Sequence, residues 1–156
     1  MKTGFQLLKT RLINKPCEDL DALEQKYDIK LPPLYRLYYQ TFEPKLITPN
    51  RGVIYYPDGN VGFEYFNESI ENTIKIFKAE PTNYKGCMLP VITSGMHTGG
   101  ICVCISGENQ DKIYIDNEMF DDQFELIADN IFEFVKGLME VPADKEATDF
   151  YLKNNY

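Results

Sequence analysis

The 156-residue chain has no tryptophan, a single histidine (His97), and no apolar run near the ~18 residues that a membrane span needs. One histidine rules out histidine-rich metal centres and leaves one imidazole for any base catalysis. Lys2, Lys9 and Arg11 interrupt every apolar run at the amino terminus, so no export signal is expected. Without one, Cys17, Cys87, Cys102 and Cys104 read as reduced thiols and the expected compartment is the cytoplasm. No pair of cysteines has the two-residue gap of a zinc knuckle.

What is abundant is aromatic and acidic. There are eleven Tyr and ten Phe, and the hydrophobic fraction of 44% is enough for a core without disulfide or metal staples. The net charge of −8 is unevenly placed. Residues 107–140 hold ten acids against Lys112 and Lys136, and the remainder of the chain is neutral. So local an excess argues against direct binding to nucleic acid or an anionic membrane, and its natural complement is a basic partner.

The pattern along the chain predicts one α+β domain over residues 1–156, with its core at about 18–140. Phe5, Leu8 and Leu12 predict a helix over 3–13 that stops before Pro16. A second helix is expected over 18–27, with Glu18, Asp19 and Asp21 in its first turn, and a third from Pro33 to about Phe42. The third should present Leu34, Tyr35, Tyr38 and Phe42 to the interior. GVIYY (52–56) and VGFEYF (61–66), joined by Pro57-Asp58-Gly59-Asn60, predict a hairpin. Ile70, Ile74 and Phe77 mark a helix crossing the sheet, with Asn67 or Ser69 as its cap. Strands are expected at 88–92, 101–105 and 112–116. ICVCI is apolar at every position, so it should be central and covered on both sides. Ile127, Ile131, Phe134 and Leu138 predict a closing helix capped by Asp129, and the polar tail over 142–156 has room for one more short helix.

No residue cluster spells out a reaction. A thiol enzyme needs a thiolate, a base and an oxyanion site. Cys102 and Cys104 sit mid-strand, where thiols pack and stay inert, and only tertiary structure can bring Cys17 or Cys87 to His97. The acids Asp111, Asp116, Glu118, Asp121 and Asp122 lack the order and central glycine of an EF-hand. The loop TSGMHTGG (93–100) resembles a phosphate cradle but leads into a strand, so a wide hairpin turn describes it better. No catalytic residue, metal or cofactor is expected.

Several segments carry a family resemblance. Residues 20–35, LDALEQKYDIKLPPLY, have a helix, an I-x-L-P link and a second helix with an early aromatic. LPVI (89–92), the glycine loop, ICVCI (101–105), SGEN (106–109) and KIY (112–114) follow as a central hairpin, and IADNIFEFV (127–135) closes the pattern. In order and spacing this resembles the SUKH superfamily, which includes the yeast cell-wall synthesis regulator and many bacterial immunity proteins. The chain departs from it at Glu43-Pro44-Lys45, where an Asn-Gly-Gly turn is common, and at Ile101, which follows Gly100 without the usual Asp.

The resemblance implies a twisted antiparallel sheet packed by amino-terminal, crossing and carboxyl-terminal helices. It also implies a non-enzymatic protein that neutralises a cognate toxin by binding it, the toxin often being a basic nuclease or other nucleic-acid-modifying enzyme. A regulatory adaptor that binds signalling proteins is the alternative, and a small Cys/His hydrolase a more distant one. The expected contacts are Asp116, Glu118, Asp121 and Asp122, with Glu64 and Tyr65 on the hairpin.

Overall fold

The computed structural model describes residues 19–41, 53–55, 61–63, 69–92, 100–116 and 123–140. The predicted helix at 3–13, the glycine-rich loop with His97, and the carboxyl tail lie outside them. Helix α1 spans Leu20–Tyr27. Its cap is Asp19, whose carboxylate accepts the Ala22 N–H at 3.1 Å, and Asp28 closes it in a left-handed conformation at φ 49°. Helix α2, Pro33–Thr41, starts at the second proline of the Leu31-Pro32-Pro33 link. Its buried stripe is Tyr35, Tyr38 and Tyr39. Leu34, expected inside, is 37% exposed, because its side chain lies about 100° around the helix from Tyr35.

Strands β1 (Val53–Tyr55) and β2 (Val61–Phe63) pair antiparallel as the predicted hairpin. Helix α3, Ile70–Ala79, is capped by Ser69, whose hydroxyl accepts the Asn72 N–H at 3.0 Å. Four antiparallel strands follow, β3 (Met88–Ile92), β4 (Gly100–Cys104), β5 (Ile113–Asp116) and β6 (Phe124–Ala128), side by side in chain order. Every residue of β4 is buried, as its unbroken apolar sequence requires. The fold is α+β.

The predicted closing helix needs correction. Ile127 and Ala128 belong to β6, the helix α4 is only Ile131–Lys136, and Leu138 begins strand β7, Leu138–Glu140. The cap is Asn130, not Asp129. Its side-chain oxygen accepts the Phe132 and Glu133 N–H groups at 3.0 and 3.1 Å. Asn130 itself is fully extended, which separates strand from helix. At the other end the Gly137 N–H donates to the Phe134 carbonyl at 3.0 Å. Leu138 then pairs with Tyr55 of β1, forming a second sheet in the order β2-β1-β7.

The core lies on one face of the four-stranded sheet. Leu89, Val91, Ile101, Val103, Ile113 and Ile115 meet Ile74 and Phe77 of α3, Ile131, Phe134 and Val135 of α4, and the tyrosines of α2. Tyr38 stands edge-on to Phe132, 5.7 Å between centroids, which joins α2 to α4.

Candidate recognition surface

Two carboxylates frame the site by fixing the helices around the sheet. Glu24 of α1 accepts the Leu31 N–H at 3.1 Å and the Arg36 guanidinium at 2.8 Å, and Arg36 also reaches Asp21. The extended link and the start of α2 are thus held against α1. Asp111, in the turn between β4 and β5, caps α2 from across the molecule. Its Oδ1 accepts the Leu34 N–H at 3.1 Å and the Tyr35 N–H at 3.0 Å, and Oδ2 accepts Leu34 at 3.2 Å. Proline at the first helical position leaves these N–H groups as the helix's open donors, and a carboxylate suits the positive end of the dipole. The turn supports the geometry with left-handed conformations at Gly107 (φ 80°) and Asp111 (φ 71°), both tolerated residue types. The link and the β4–β5 turn, widely separated in sequence, therefore meet at one hydrogen-bonded point.

The acidic segment divides in two. Asp111 and Asp116 are buried, 8% and 2% exposed. Asp116, expected as a surface contact, instead accepts the Gln123 side-chain amide at 3.0 Å, and Gln123 also donates to the Asn83 carbonyl at 3.1 Å. Strand β5 turns alternate residues to opposite faces, which places Asp116 with Tyr114 on the face away from the main core, where it is buried beside Cys102. Glu108, Glu125, Asp129 and Glu133 are exposed, Glu133 paired with Lys136 at 2.9 Å. Glu118, Asp121, Asp122, Glu64 and Tyr65 lie outside the described residues. Among the described residues no group of three or more His, Cys, Asp or Glu is arranged to hold a metal ion.

The outer face of the four-stranded sheet differs from the core. Met88, Cys102 and Cys104 form a small buried cluster, with Tyr84, Cys87, Tyr114 and Phe124 packed around it. Tyr114 stands opposite Leu126 and Asp116 opposite Phe124. Leu126 is 49% exposed, and Tyr114 and Phe124 are half-buried. Lys85 lies over the Phe124 ring, 5.4 Å from its centroid. A bulge at Ile127, where Ile113 faces Ala128 but Tyr114 faces Leu126, keeps Leu126 on this face and returns Ala128 to the core. The result is a strip of aromatic and aliphatic side chains with Glu125 on the same strand. The sequence reading missed it because Ile127 was counted into a helix; alternation through FELIA was the available signal.

Neither Cys87 nor Cys102 carries the depressed pKa of an activated catalytic thiol. Burial, then the charge of Asp116, pushes the Cys102 thiol well up. Burial, then the neighbouring Cys104, raises the Cys87 thiol. An activated cysteine requires the opposite shift. Tyr114 is raised for the same reason, burial first and Cys104 second.

Comparison with known proteins sharpens the picture. A family model described as "SMI1 / KNR4 family (SUKH-1)" matches residues 16–137. That span includes α1, the link, α2, α3, the four-stranded sheet and α4. No curated protein and no solved structure was found to match the chain. Among the described residues, no helix is long and apolar enough to cross a membrane.

Proposed function

The chain belongs to the SMI1 / KNR4 family (SUKH-1), and from that premise we propose that it is an immunity protein that binds and masks a cognate toxin. The observation that carries this reading is the confinement of the whole net charge of −8 to residues 107–140, the segment that also builds the exposed strip on β5 and β6. A basic toxin domain, such as a nuclease, is the matching partner. Exposed acids such as Glu108, Glu125 and Asp129, with Glu118, Asp121 and Asp122, speed its encounter. Tyr114, Phe124 and Leu126 supply the short-range contacts that hold it. Glu64 and Tyr65 on the hairpin segment extend the contact. Asp116 supports this surface from beneath. The raised pKa values of the Cys87 and Cys102 thiols support a binding role over thiol catalysis.

The test is to mix the purified protein with the toxin encoded beside its gene. Activity of the toxin should vanish near equimolar ratio, with a complex visible by size-exclusion chromatography. Asp121→Lys with Asp122→Lys should then slow association and flatten its salt dependence. Full toxin activity and no complex would discard the reading, and association with a signalling protein in place of a toxin would favour a regulatory adaptor.

A further inference from the structure

Three of the four cysteines lie together on the outer face of the sheet, and none has a part in the proposed binding. Cys102 and Cys104 are alternate residues of β4, on the same side and roughly 7 Å apart along the strand, beyond comfortable disulfide reach. Cys87 is different. It sits just before β3, where the register sets Met88 opposite Cys104. The Ile105 N–H donates to the Cys87 carbonyl at 2.9 Å, which pins this backbone beside the end of β4. Its side chain packs onto the Met88–Cys102–Cys104 cluster, and the neighbouring Cys104 thiol helps to raise its own. Cys87 is also partly open to solvent, whereas Cys104 is buried behind it. One accessible thiol backed by one buried neighbour is the arrangement of an attacking and a resolving cysteine.

We propose that Cys87 and Cys104 form a reversible disulfide on reaction with a low-molecular-weight disulfide. The Cys87 thiolate attacks one sulfur of the reagent, forming a mixed disulfide and expelling one thiolate. Cys104 then loses its proton to solvent, and its sulfur attacks Cys87 Sγ and expels the second small thiol. Two protein thiols are oxidised, one external disulfide is reduced to two thiols, and the atoms balance. Cys104 now donates its thiol hydrogen to the Ser106 carbonyl at 3.2 Å, and this bond is lost on oxidation. Its backbone N–H and C=O bond Lys112 and Asp111 at 2.9 Å each. The bridge therefore ties the turn before β3 to the base of the turn that carries the α2 cap. It is a modification site independent of the toxin-binding reading.

The test uses the native full-length protein and oxidised glutathione, followed by alkylation of free thiols, proteolysis and mass spectrometry. The expected product has lost two hydrogens, carries no glutathione, links the Cys87 and Cys104 peptides, and reverts with dithiothreitol. Because burial raises the Cys87 thiol, the rate should climb with pH, by about tenfold per unit while the thiol remains mostly protonated. Cys104→Ser should stop the reaction at a stable glutathione adduct on Cys87. A persistent adduct in the unmodified sequence, a link through Cys17 or Cys102, or no reaction of the folded protein would each overturn the proposal. The mapping on the unmodified sequence decides the matter even if the variant fails to fold.

Discussion

The two faces of the four-stranded sheet are built from the same strands and have little else in common. Across β3, β4 and β5 the inner face is hydrocarbon, with Leu89, Val91, Ile101, Val103, Ile113 and Ile115 all buried beneath the helices. The outer face alternates with it residue by residue and carries sulfur, aromatic rings, a buried carboxylate and a half-exposed leucine. Stability comes from the first, since burying such side chains is worth about 1.5–3 kcal/mol each. The second contributes less to folding and has more to offer a partner or a reagent. A period of two lets one strand serve both purposes.

The sharpest way to break that contrast is to truncate one residue on each side. Phe134→Ala, deep in the inner core, should cost about 3–5 kcal/mol in urea unfolding. Leu126→Ala on the outer face should stay within ~0.5 kcal/mol. Equal losses would mean that the outer face is core as well. Next in size is Asp111→Ala, which leaves two N–H groups at the start of α2 without their acceptor and should cost about 1–2 kcal/mol by the same measurement. An unchanged midpoint would show that the turn and the link are not mechanically joined.

Leu126→Ala should instead appear in binding. Dissociation from the toxin, followed by surface plasmon resonance, should quicken by roughly fivefold, the equivalent of about 1 kcal/mol. No change would move the contact away from β6. The smallest effect belongs to Glu71 of α3, which accepts hydrogen bonds from Lys26 at 2.9 Å and Tyr27 at 2.7 Å. The Lys26 bond, then the Tyr27 bond, holds its carboxyl below the usual value of 4.5. A depressed folded pKa gives stability that is present above the unfolded value and lost as pH falls through the folded one. Acid titration of unfolding should therefore show a shallow decline below pH 4.5 that salt weakens and Glu71→Gln lacks.

Legibility in the sequence followed the range of the interactions. The Ser69 cap (one of two residues offered), the Pro33 helix start and the buried ICVCI strand were readable, because each depends on neighbours within a few residues, whereas Asp19, read as a first-turn residue, is the cap of α1. Ile127, Ile131, Phe134 and Leu138 were read as one helix, but Ile127 lies in β6 and Leu138 in β7. Their spacing suits a helix, but the extended Asn130 and the pairing of Leu138 with distant Tyr55 divide the segment. Asp116 was read as a surface acid for a similar reason. Charge alone says "outside", and only the packing around Asp116 and the Gln123 amide bonded to it say otherwise.

The sequence by itself determined the α+β class, most element positions, the family and the concentration of negative charge in one segment. The family rests on the resemblance of short motifs in their order, and the rest on composition, periodicity and local capping, none of which needs knowledge of the distant chain. Only the tertiary structure decided which acids are buried, which leucine meets solvent, that Asp111 caps α2 and that Cys87 lies against Cys104. Each of those depends on strand register and on contacts between residues far apart in the chain, and shifting the register by one residue reverses the facing of every side chain on the strand.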